Sequence, residues 1–273
     1  MDKTIYLQHQ ALGLEAFNLK ASVKAMRELL PNFVGSITQF YSTFSQSDKD
    51  LAIGTVPPQN FKRSLKNVNY VAVKDVTFTG PMGLQTTYVQ YINEIENSVA
   101  LSEKLVSDVL QPFSNWVAVM LSTPENLKSV SNLPIDTKAL DKERDALVEH
   151  LVKVVDPKSP QTSFRYGSLV SRNADWDIIV NKTNDLASRL MLTDRKKIMR
   201  MVDDLTEMLS RLVERIEEDP ETYQLSGNTT SVLATLCYSA GKSLEQYSNS
   251  SVMVQELVTT VTRTVDELNK TFH

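Results

Sequence analysis

The chain has 273 residues and a formal net charge of -4, with 41% hydrophobic and 23% charged residues. This is an ordinary globular composition and not that of a disordered chain. The 8 glycines and single cysteine argue against glycine-looped nucleotide folds and exclude an intrachain disulfide or a Cys-only metal site.

His9, His150 and His273 are scattered and do not suggest a His-rich metal centre. The acidic balance excludes nucleic-acid binding by global charge, though not by a local patch. No run approaches the ~18 consecutive apolar residues of a membrane span. Met1-Asp2-Lys3-Thr4 opens a polar stretch without a signal peptide's apolar core. A soluble protein made and kept in a reducing cytoplasm is the expectation.

Two helices are expected first. Leu12, Ala16, Leu19, Val23, Met26 and Leu30 recur at three and four residues. Pro31 fits a new helix start, and Phe33, Ile37, Phe40 and Phe44 continue the period. Pro57-Pro58 then breaks any helix. The stretch Tyr70 to Phe78 is rich in β-branched and aromatic residues and is closed by Gly80-Pro81 and Gly83. It predicts a small β-hairpin or arm near 68–79.

From Leu84 the helical period returns. Tyr88, Ile92, Ile95, Val99, Ser102, Val106, Val109 and Phe113 alternate at four and three, a heptad seam with one polar interruption. Pro112 should kink or end this helix. Asp136 is a plausible N-cap for a helix carrying Leu140, Leu147, Leu151 and Val154. The loop 156–160, with two prolines, is the best linker. It predicts an N-terminal helical region over 1–155 and a C-terminal bundle over 161–273, or one continuous domain.

Beyond the loop, Trp176, Ile179, Thr183, Leu186 and Leu190 are again helical, with Asn173 as N-cap. Thr193-Asp194 caps the next helix, whose seam is Ile198, Val202, Leu205, Leu209, Leu212 and Ile216. A helix from about Thr229 to Tyr247 and another from about Ser250 complete the chain, the last with Val254, Val258, Val261, Val265 and Leu268. The whole predicts a mainly α bundle of about seven or eight helices with a small β insertion. Heptad stripes of this kind are more often a chain's own core than a seam for another chain.

Tyr166-Gly167-Ser168 followed by Asp175-Trp176-Asp177 resembles the glycine-serine and paired-aspartate signature of the nucleotidyltransferase superfamily. The resemblance covers about fifteen residues. It implies Asp175 and Asp177 as ligands of two metal ions and Gly167-Ser168 as a phosphate grip. It also needs strand–loop–strand geometry over 164–180 and a third carboxylate on a later strand, whereas everything after Asp177 reads as helix. The gap from Ser168 to Asp175 is shorter than the family's. The plainer reading puts Asp175 in the acidic first turn of a helix.

Asp203-Asp204-Leu205-Thr206-Glu207 resembles the aspartate-rich metal motif of helical prenyl-transferring enzymes. That fold needs a second acidic cluster across a cavity, and none stands out. The plainer reading is a solvated helix face.

Arg195, Lys196, Lys197 and Arg200 form a basic cluster at the N-terminal end of that helix, and the rest of it is acidic. Cations there oppose the helix dipole, which favours an intermolecular partner; the plainer reading is a solvated face with intrahelical pairs such as Glu207 with Arg211. Lys62, Arg63 and Lys66 beside Phe61 form a second basic patch. Cys237 reads as core and His150 as a structural histidine.

Taken whole, and from a start such as Met1-Asp2-Lys3-Thr4-Ile5-Tyr6-Leu7 onward, the chain resembles the helical virion structural or internal proteins of large tailed bacteriophages. It shares with them helices without cofactor loops and a β arm between them. The resemblance implies protein partners, including copies of itself or neighbouring subunits, and no cofactor. The lack of a complete catalytic set, of a membrane span and of a global basic charge sets the expectation of a non-catalytic structural or interaction component without membrane or nucleic-acid partners. Two other readings stand beside it. One is a metal-dependent nucleotidyltransferase-like enzyme. The other is a regulatory helical module that sequesters a partner on an exposed apolar stripe.

Overall fold

The computed structural model describes residues 29–43, 70–81, 87–129, 132–154, 161–190, 195–219, 222–223 and 225–272. Residues 29–43 form α1 and Tyr70–Val73 a single turn, α2. Strand β1 is Thr77–Pro81, followed by α3 at Tyr88–Ser122 and a short α4 at Asn126–Ser129. Then come α5 at Thr137–Val154, β2 at Gln161–Arg165, and a turn, α6, at Tyr166–Leu169. Three helices close the chain: α7 at Asn173–Ser188, α8 at Arg195–Glu218 and α9 at Gly227–Phe272. The fold is a mainly α bundle with one small two-stranded β insertion. The loop expected as a linker at 156–160, the first helix before residue 29 and the Thr193-Asp194 cap lie outside the described residues.

Contacts divide the chain into two units, each drawn from three stretches. One takes the described parts of Met1–Phe40, Lys104–Lys142 and Lys197–Glu245; the other takes those of Tyr41–Glu103, Glu143–Lys196 and Gln246–His273.

In the first unit, Phe33 and Ile37 of α1 are buried, and the Phe33 ring lies 6.0 Å from that of Phe113. A Cβ on Gly241 would come within 2.8 Å of the Ser36 hydroxyl oxygen, so the missing side chain is what lets α1 and α9 approach. The Leu127 carbonyl fixes the start of α9. It accepts from the Ser226 N–H at 3.0 Å and from the Thr229 hydroxyl at 2.7 Å. The Ser226 hydroxyl in turn accepts from the Thr229 N–H, an N-cap. Helix α3 runs on through Pro112, and Trp116 and Met120 are buried on its continuation. The Asp136 carboxylate accepts from the N–H groups of Lys138 and Ala139 at 3.1 Å, as its sequence position predicts.

In the second unit, Thr87 and Gln90 cap α3 reciprocally: the Thr87 N–H donates to Gln90 Oε1 and the Gln90 N–H to Thr87 Oγ1. The β insertion pairs Thr77 with Arg165, Phe78 with Phe164 and Thr79 with Ser163, antiparallel. The strand partner comes from Gln161–Arg165, far along the chain, while Tyr70–Val73 turns as helix and buries Val73. Phe78 and Gly80 face inward and Thr77 and Thr79 outward, the alternation of a half-buried strand. A Cβ on Gly80 would meet the Thr260 methyl at 3.3 Å, so glycine sets how closely the ladder lies on α9.

The three heptad seams are core. Tyr88 through Phe113 on α3, Ile198 through Ile216 on α8 and Val254 through Leu268 on α9 are all buried. A single helix of 46 residues replaces the two expected at the C-terminus. The polar run Ser248-Asn249-Ser250-Ser251 does not break it. The Ser250 and Ser251 hydroxyls donate to the carbonyls of Gln246 and Tyr247 one turn back, which satisfies them inside the helix.

Candidate functional site

The Gly167-Ser168 and Asp175/Asp177 pattern is absorbed by local structure. Gly167 sits where its N–H donates to the Lys74 carbonyl at 2.9 Å, and a Cβ there would lie 3.0 Å from that same oxygen. The glycine is required by backbone approach next to the ladder. The Ser168 hydroxyl donates to the Arg165 carbonyl at 2.6 Å. Asp175 caps the start of α7 from within its first turn: one carboxylate oxygen accepts from the Arg172 N–H at 3.0 Å, the other from the Arg172 guanidinium at 3.2 Å. Asp177 is exposed one turn into the same helix. The strand–loop–strand that a two-metal site requires is therefore helix from Asn173 to Ser188. The N-cap is Arg172 rather than Asn173.

Asp203, Asp204 and Glu207 lie on the solvent side of α8, and Glu207 pairs with Arg211 on the same helix. Among the described residues no group of three or more His, Cys, Asp and Glu is placed to hold a metal ion. Cys237 is buried on α9, and burial pushes its thiol up to about 12, leaving almost no thiolate at neutral pH. His150 falls on α5.

An aromatic cluster in the second unit was not anticipated as a group. Phe78 stacks on Tyr88 at 6.2 Å with planes 9° apart, and Trp176 meets both Tyr88 and Tyr166 at 6.1 Å. The Tyr88 hydroxyl shares a 2.8 Å hydrogen bond with Thr264 of α9. Burial drives the Tyr88, Tyr91 and Tyr166 phenols well above their ordinary range. They stay neutral at every physiological pH, and Tyr88 and Tyr166, with Phe78, Trp176 and Thr264, tie β1, α3, α6, α7 and α9 together. The sequence signal, aromatics on four separated elements, has no fixed spacing to find it by.

A charged network was also missed. Lys182 of α7 donates to Asn93 at 2.7 Å and reaches Glu96 at 3.4 Å, while Arg189 lies 3.6 Å from Glu96 and 3.8 Å from Glu103. These groups are partly exposed and clasp α7 to α3.

Exposed large apolar side chains among the described residues do not form a helix-long stripe. Val34, Val71, Val119, Val148, Ile178 and Tyr238 each sit on a different element. Near Pro112, an open depression of about 500 Å³ lies between Trp116, Val119, Met120 and Pro134 and has no charged group in its lining.

The basic cluster on α8 remains. Lys196, Lys197 and Arg200 are exposed and Arg195 half-buried. Among the described residues Lys196, Lys197 and Arg200 make no ion pair. Lys62, Arg63 and Lys66 lie outside the described residues.

No protein-family model matches the chain, and neither a curated protein nor a solved structure shows significant similarity to it. No helix among the described residues is long and apolar enough to cross a membrane.

Proposed function

We propose that the chain is a non-catalytic structural component of a larger protein assembly, of the kind built into the virions of large tailed bacteriophages. Its partners are proteins, copies of itself or neighbouring subunits, and it needs no cofactor. The observation that carries this reading is the outer side of α8. There, the exposed Lys196, Lys197 and Arg200 stand at the N-terminal end of a helix, against its dipole, and make no ion pair among the described residues. A surface of that kind is stabilised by a neighbour of opposite charge. The burial of all three heptad seams supports the same reading, because it directs recognition to charged faces instead of apolar stripes.

Gradient sedimentation of lysate from the native source, with mass spectrometry locating the chain, tests it. The expected result is migration with a large particle at fixed stoichiometry. Migration as a free chain of about its own mass, at every lysate concentration, contradicts the proposal.

A further inference from the structure

The outermost stripe of α8 is Lys196, Arg200, Asp203, Glu207, Arg211, Glu214 and Glu218, all exposed. Their spacings run four, three, four, four, three, four, which read the same in either direction about Glu207. The charges do not read the same in either direction: they invert. Lys196 mirrors Glu218, Arg200 mirrors Glu214 and Asp203 mirrors Arg211. Beside the stripe, Lys197 mirrors Glu217 in the same way. Only Glu207, at the centre, meets its own kind.

We propose that two copies of this chain pair antiparallel through the outer faces of α8, about a two-fold axis beside Glu207. Such an interface is isologous, so each match occurs twice. It places the cations at the N-terminal end of one helix beside the carboxylates at the C-terminal end of the other. That arrangement relieves the dipole conflict at both ends. The occupant is a second copy because the complementarity is self-complementarity: reversing the helix matches all its mirrored charges in one register. The pairing rests on the assembly reading and names its partner. An interface of exposed charges is weak and salt-sensitive alone and gains strength where a particle holds copies side by side.

Analytical ultracentrifugation of the whole chain at roughly 20 mM and roughly 0.5 M salt is the first test. A dimer at low salt that dissociates at high salt is expected. Arg200→Glu or Glu214→Arg alone should weaken the dimer by about tenfold or more. The double variant Arg200→Glu/Glu214→Arg should restore it. Both positions are exposed, and circular dichroism reports whether each variant keeps its helices.

Cysteine cross-linking fixes the register. Glu207→Cys should form a disulfide-linked dimer under copper–phenanthroline oxidation, since its two copies meet at the axis. Lys196→Cys should not, because 22 residues at about 1.5 Å rise put its two copies ~33 Å apart. Cys237 is buried and does not compete. A monomer at both salts, a dimer indifferent to the single reversals, or cross-linking at 196 instead of 207 overturns the pairing. If such a chain still travels with a particle, the assembly reading stands without the α8 contact. If it is monomeric alone and absent from every particle, both fall.

Discussion

Helices α8 and α9 carry the same heptad signal and do different work. On α8 the seam from Ile198 to Ile216 is buried and the opposite side is charged and exposed. On α9 burial extends almost all round: Ser239, Ser243, Ser248, Ser250, Ser251, Thr260 and Thr264 are as buried as its valines. Small hydroxyl side chains let neighbouring backbones come close, and those of Ser250, Ser251 and Thr264 satisfy themselves on the preceding turn, Thr264 on the Thr260 carbonyl at 2.8 Å. A seam in a sequence therefore says that a face is buried and leaves open what the rest of the helix does. Here α9 is mostly framework, exposed at few positions such as Tyr238 and Arg263, and α8 has one side buried and the other exposed.

Alkaline titration should separate framework from face most strongly. The Tyr88, Tyr91 and Tyr166 phenols have folded-state affinities for their protons raised above the ordinary value of 10.0. The stability they contribute is complete below about pH 10 and is lost as pH rises, because only the unfolded chain releases those protons easily. Unfolding followed by circular dichroism should coincide with the appearance of tyrosinate absorbance. Tyrosinate of these three residues in a still-folded chain would contradict their burial.

Truncating either core should cost less than that but still much of the total stability. Leu205→Ala on α8 and Leu257→Ala on α9 remove fully buried side chains and should each destabilise by about 3 kcal/mol in urea titration.

The sharper contrast is one substitution made twice. Ser251→Leu on α9 forces a large side chain into a filled interior and should cost ~1–3 kcal/mol. Ser210→Leu on the outer side of α8 should change stability by less than about 0.5 kcal/mol. Equal effects would mean that the two helices do not differ as described.

Smallest is Glu207→Gln, which removes the pair with Arg211 and should lower thermal stability by only about 0.3–0.5 kcal/mol. The same change removes the single like-charge meeting in the α8 pairing, so it should tighten self-association while slightly weakening the fold.

Much of the framework was legible because burial is written as period. The residues of all three seams, the Asp136 cap and the mainly α bundle followed from spacing and local chemistry. What was not legible depends on partners distant in sequence. Gln161–Arg165 carries only one hydrophobic residue, Phe164, so nothing in it announces a strand until Thr77–Pro81 is beside it. The serine run at 248–251 looked like a break because its hydroxyls satisfy themselves only once the helix exists. Gly167-Ser168 suggested a phosphate grip because sequence cannot show that the Lys74 carbonyl occupies the space. The charged cluster at Arg195–Arg200 was visible, whereas its mirror relation to the acidic end needed the exposed stripe of α8 to be defined first.

Hydrogen–deuterium exchange of the chain, free and within any particle it sediments with, tests most directly whether α8 offers a face to a neighbour and α9 does not. The expected result is equal protection of α9 in both states and a gain of protection over Arg195–Glu218 in the particle. Unchanged exchange along α8, with new protection elsewhere, would contradict it.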